Sequence, residues 1–220
     1  MIGSRRLAAV ALASGLAAGC GGGSGDPVDV TGTAAVGMAL QGATVQLRDA
    51  GGNVRSVQSN ADGTFKAPGL YDGALMVRCE AGTAGGATNG LRLHGLVLGG
   101  RVVNCTPLTE LALWQLLGGA PAAAFDRFGP DLVQGVTAAS FATAEAAVLA
   151  SLAAGAGVDI DPAAVPHEWN KTPLVAGSPA DAQDAALDAV RQGQLTDPTS
   201  LGVMGDMVLR GLCAADATCN

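Results

Sequence analysis

The hydrophobic period of this chain changes at Cys105-Thr106-Pro107. Upstream, apolar side chains recur at every second residue in short runs. Downstream, they recur three and four residues apart. Thr106 is a good helix N-cap, and the fixed φ of Pro107 suits the first helical position. A strand ending near Cys105 therefore runs straight into a helix. The expected class is segregated α+β, with an antiparallel β-sandwich over residues 30–106 and an all-α domain over residues 107–220.

The strands are read from alternation and turns. Thr44-Val45-Gln46-Leu47-Arg48 places Val45 and Leu47 on one face and polar residues on the other, the pattern of a half-buried strand. Asp49 to Asn53 is turn chemistry, and Val54 to Gln58 is extended again. Asn60-Ala61-Asp62-Gly63 is a second turn, with Gly63 able to take positive φ. Strands follow from Thr64, over Ala74 to Cys79, over Leu91 to His94 and Leu96 to Leu98, and over Arg101 to Cys105. Residues 82–90, rich in Gly, Ala and Thr, read as an exposed loop.

Gly42-Ala43-Thr44-Val45 together with Asn60-Ala61-Asp62-Gly63-Thr64-Phe65 resembles the carboxypeptidase regulatory-like domain over roughly residues 28–82. That resemblance implies a transthyretin-like (Ig-like) Greek-key sandwich and an accessory role in binding glycans or proteins. Val103 to Thr109 resembles a junction found in exported bacterial lipoproteins, in which such a sandwich precedes a helical region of unknown function.

Residues 107–220 read as helices. Leu108, Leu111, Leu113, Leu116 and Leu117 form a broad apolar surface that stops at Gly118-Gly119. A short helix over 122–128 ends at Gly129-Pro130. Phe141, Ala144, Val148 and Leu152 make one stripe of an amphipathic helix. Three prolines mark residues 161–177 as an irregular connector. Ser178 is the expected cap of the next helix, with Asp181 completing a capping box and Ala186, Leu187 and Val190 facing inward. Asp197-Pro198 starts the last helix, where Leu201, Met204, Val208 and Leu212 recur at helical spacing.

The first residues carry Arg5 and Arg6, an apolar run from Leu7 to Leu16, and Ala17-Ala18-Gly19-Cys20. The run is shorter than the about 20 apolar residues that cross a bilayer, and its charged start and small-residue exit are those of a secretory signal. The end of this stretch resembles a bacterial lipobox, with Ala17 where leucine is usual. The resemblance implies a signal peptide at 1–19, diacylglyceryl and palmitate-type acylation of Cys20, and a lipidated Gly-rich tether at 20–29. No acidic residue follows Cys20 directly, so the expected place is the outer membrane, lipid-anchored and facing the periplasm or the cell surface. Loss of 1–19 removes two arginines and no acid, so the side-chain charge falls from −7 to −9. Such an acidic chain repels phosphate backbones, so nucleic acid is not an expected partner. Glycine, at 33 residues, is about twice its usual share, and aromatics are only 3%, so the core must be built from small residues.

Four cysteines remain beyond Cys20: Cys79, Cys105, Cys213 and Cys219. In an exported chain an even count reads as disulfides. Pairing Cys79 with Cys105 and Cys213 with Cys219 keeps each bridge inside one expected domain, which favours it. The other two pairings, which join the N-terminal domain to the C-terminal tail, stay open. No C-x₂-C pair is present, so no zinc site is expected, and no other metal or cofactor is indicated.

Chemistry-bearing constellations are few. His94 lies on an expected strand and reads as structural or surface. His167, Glu168 and Trp169 sit on the proline-rich connector as a candidate binding loop, with Trp169 as a packing plug the competing reading. Asp181, Asp184, Asp188 and Arg191 read as a solvated helix face. There is no G-x-S-x-G elbow and no expected catalytic residue. The expected function is a non-enzymatic binding or scaffolding module held to the membrane through Cys20. A cell-envelope hydrolase using the 161–176 loop, or a subunit of an envelope complex, is the alternative.

Overall fold

The computed structural model describes residues 28–70, 73–155, 160–166, 168–192 and 197–210. The signal segment with Cys20, His167, Leu212, Cys213 and Cys219 lie outside the described residues. Antiparallel sheets occupy the N-terminal part and helices the C-terminal part, an α+β arrangement.

Strand β2 (Thr44–Asp49) pairs antiparallel with β3 (Val54–Gln58) on one side and β5 (Leu75–Glu80) on the other. Strand β8 (Arg92–Val97) adds to β5, giving the order β3-β2-β5-β8. A second, two-stranded sheet joins β1 (Val28–Thr33) to β4 (Thr64–Leu70). β1 thus begins at Val28, two residues before the expected start of the sandwich at residue 30. A small hairpin of β6 (Thr83–Ala84), with Ala84 buried, and the exposed β7 (Ala87–Thr88) occupies the expected loop.

The turns follow the local chemistry. The Asp49 carboxylate accepts both the backbone and side-chain N–H of Asn53, closing the β2–β3 connection. At Gly63, φ is 77°, and a Cβ there would lie 2.5 Å from the Ala34 carbonyl oxygen. Only glycine suits both the backbone and the space.

The segment expected as a strand over 101–105 forms no strand of its own. It runs parallel to β1 through isolated bridges, with Val103 N–H donating to the Thr31 carbonyl and Cys105 N–H to the Thr33 carbonyl. Cys79 and Cys105 are disulfide-bonded, with their Cα atoms 6.2 Å apart. The bridge ties the middle of the four-stranded sheet to the segment beside β1, and it excludes any bond from either cysteine to the C-terminal tail.

The chain then enters α1 (Pro107–Leu117) at once. Thr106 caps it by accepting from Thr109 N–H, the Thr109 hydroxyl accepts from Thr106 N–H, and Gly118 ends it in a left-handed turn. The remaining helices are α2 (Pro121–Asp126), α3 (Pro130–Gln134), α4 (Ala138–Gly155), α5 (Ala182–Gln192) and α6 (Pro198–Arg210). α3 was not expected: Pro130 marks a stop in sequence, yet the same proline opens a new helix at its first position. The expected stripe of Phe141, Ala144, Val148 and Leu152 on α4 is buried. At α5 the cap is Asp181 rather than Ser178, because the Asp181 carboxylate accepts the N–H groups of Gln183 and Asp184. Buried residues from sheets and helices belong to one continuous apolar cluster.

Replacing both Cys79 and Cys105 by Ala reopens a loop spanning 26 positions. Loop-closure entropy gives an expected loss of about 3 kcal/mol, read from the urea midpoint of the oxidised wild-type chain against the double variant.

Candidate functional site

Neighbours across an antiparallel ladder share a face, so Gln46, Arg78 and His94 stand side by side on the helix-facing side of the large sheet. The Arg78 guanidinium forks onto Gln46 Oε1 and stacks 4.3 Å above the Phe125 ring of α2. It also reaches Asp126 at 3.3 Å. The His94 ring lies beside the same Phe125, with centroids 6.0 Å apart.

His94 is fully buried and is locked to α1 at three points. Its backbone N–H donates to Glu110 Oε2 at 2.7 Å, and its carbonyl accepts from the Thr109 hydroxyl at 2.9 Å. Its Nδ1 lies 2.8 Å from the same Glu110 oxygen. Because Oε2 already accepts the backbone N–H, the proton of the second bond is assigned to Nδ1. Glu110 is 5% exposed. Its Oε1 forms no hydrogen bond among the described residues, and His94 Nε2, unlike that oxygen, is fully buried with no partner among them.

A cleft of about 640 Å³ adjoins this pair. His94 and Glu110 line it, with Trp114 from α1, Leu201 and Gly202 from α6, and Glu80 with Arg92 from the sheet. Glu80 and Arg92 are joined by a 2.7 Å ion pair. The Trp114 ring lies directly on α6, where a Cβ at Gly205 would come within 2.5 Å of it. This close approach needs glycine at 205.

The connector expected to carry the binding residues is held from below. Glu145 on α4 is fully buried, and its two oxygens accept the N–H groups of Glu168 and Trp169, each at 2.7 Å. Glu168 takes φ 77°, a backbone seldom adopted outside glycine, with its N–H turned to this carboxylate. Its side chain is exposed and pairs with Lys171 at 2.8 Å. The Trp169 ring is fully buried and donates from Nε1 to the Pro166 carbonyl. Asn104 then donates to the carbonyls of Trp169 and Thr172, and Thr33 to that of Leu174, fastening the connector to the strands. Trp169 therefore packs as a plug, and His167 lies outside the described residues.

The acidic face of α5 departs from the solvated expectation. Asp184 is 1% exposed. Burial pushes its carboxyl above the ordinary carboxylate range, against the opposing pull of the Gly177 N–H; Asp188 and Asp181 add repulsion, and the Ser178 N–H also pulls down. Asp188 pairs with Arg191. Both lie against Gly37, which brings α5 onto residues 36–38.

The sequence reading passed over the pairing of His94 with Glu110. One signal was available: Glu110 is the only charged residue in the first helix. Compared with known proteins, the chain matches no family model, and no curated protein matches it. Among the described residues, no group of three or more His, Cys, Asp or Glu is placed to hold a metal.

Two substitutions check these placements. Glu145→Gln leaves a buried amide facing a backbone donor and should cost about 1–3 kcal/mol by urea denaturation, with faster hydrogen exchange at Trp169 N–H. For Asp184 the native pKa lies above the unfolded value of 3.8. Above the native pKa the buried charge penalises the folded state, and protonation relieves that penalty as pH falls toward 3.8. Asp184→Asn should therefore raise Tm near neutral pH, and the gain should vanish in melts below pH 3.8.

Proposed function

We propose that this chain is an exported lipoprotein, acylated at Cys20 and anchored in the outer membrane, that serves as a non-enzymatic binding module. Its strands form a transthyretin-like sandwich of the carboxypeptidase regulatory-like kind, and its helices build the ligand cleft against the outer sheet. The export reading rests on Arg5, Arg6, the apolar run and the small residues before Cys20. The Cys79–Cys105 bridge between the four-stranded sheet and the segment beside β1 supports the sandwich.

The cleft beside His94 and Glu110 carries the binding reading. It combines apolar walls with a small number of fixed polar groups, the usual make-up of a small-molecule site. Glu110 holds His94 by both its backbone and its ring, so these polar groups are set in place before any ligand arrives. Preorganisation of this kind lowers the ordering cost of binding.

Two measurements test the proposal. Palmitate labelling and membrane fractionation in a bacterial host should find the wild-type chain acylated and in the outer membrane, and Cys20→Ala unlabelled and released. An unlabelled, soluble wild-type chain would overturn the anchor. Separately, mixtures of small metabolites screened by ¹H–¹⁵N NMR should shift the Trp114 indole and His94 resonances. A screen that moves neither would overturn the cleft as the binding site.

A further inference from the structure

We propose that this cleft takes a small organic cation, a primary amine on a flat apolar body. The inference rests on the cleft being the binding site and names the chemistry that fits it.

The polar groups of the cleft have mostly been used. Arg92 is the only lysine or arginine among the described residues that line it, and its guanidinium is engaged by Glu80 at 2.7 Å. Counting those two as neutral, Glu110 is the remaining carboxylate. Its Oε2 is occupied by the N–H and ring of His94, and its Oε1 accepts nothing among the described residues. On a carboxylate nine-tenths buried, the one unbonded oxygen faces the cleft and is a ready acceptor for a charged donor. An unbonded carboxylate oxygen on the cleft wall, with the one lining guanidinium already paired, calls for a cationic donor.

The walls set the rest of the ligand. Trp114 gives an aromatic surface attractive to an ammonium or its attached carbons, and Leu91, Leu201 and Gly202 give an apolar lining with room for a planar group. The net acidity of the chain adds a long-range pull on cations.

The test uses the full chain carrying Cys20→Ala, with phenethylamine as probe and 2-phenylethanol and N-acetylphenethylamine as neutral matches. The amine should bind saturably, shift the Trp114 indole and His94 resonances, and outbind both neutral probes by at least about tenfold, the usual difference for a charge-assisted contact. Glu110→Gln keeps an acceptor for the two His94 N–H groups and turns an amide donor toward the ligand. It should abolish this preference, bringing the amine level with the neutral probes. If that variant does not fold, the comparison of the three probes on the parent chain decides. Equal affinity for amine and neutral probes, or no shift with the amine, overturns the proposal. Where the metabolite mixtures still shift the same resonances, only the cationic ligand falls. Where they too are silent, the binding reading falls with it.

Discussion

The outer edge of β8 is where this structure had to find a solution. It is the last strand of the four-stranded sheet, and an edge strand presents backbone groups that must be paired or wetted. At His94 both groups are buried, and both are satisfied by consecutive residues of α1: the N–H by Glu110 and the carbonyl by Thr109. Two adjacent helical side chains gripping one strand residue fix the height and rotation of α1 against the sheet. Thr109 also closes the capping box with Thr106, so the start of the helix and its docking are set by the same side chain. The rest of the helical half is laid on this joint.

The large sheet is divided in purpose by its pleat. Val45, Leu47, Val77, Cys79 and Leu93 share one face, apolar and clasped through the disulfide to the segment beside β1. The opposite face carries Gln46, Arg78 and His94, a polar row that only a helical layer with matching partners can cover. Phe125 supplies a ring to both Arg78 and His94, and Glu110 supplies the carboxylate. Polar chemistry is thereby concentrated where sheet and helices meet, and the cleft lies at that boundary.

Much of this was legible in the sequence because it is local. The alternation of 44–48 and 54–58, the turns between them and the cap at Thr106 each depend on residues within a few positions. The segment 101–105 reads as extended, but its parallel pairing with β1 joins positions some seventy residues apart and leaves no local mark. Pro130 fits both a helix stop and a helix start, and only packing chooses. Asp181 displaced Ser178 as cap because its carboxylate meets two N–H groups at once. Asp184 sits among small, polar neighbours that imply solvent, yet it is buried beside the backbone N–H groups of Gly177 and Ser178. The joint between His94 and Glu110 is of the same non-local kind.

The placement of β1 has a mechanical consequence. It lies between β4, antiparallel to it, and residues 101–105, parallel to it, and it is the first strand among the described residues. Only seven residues separate Cys20 from Val28, a span of at most about 29 Å when fully extended. A body tethered at Cys20 would ride close to the bilayer, and any drag on it would enter along the axis of β1. Load in that direction shears both ladders at once rather than peeling their bonds one by one. The covalent bridge at Cys105 backs one of those ladders, so the strand that would bear the tension is also the strand best braced against it.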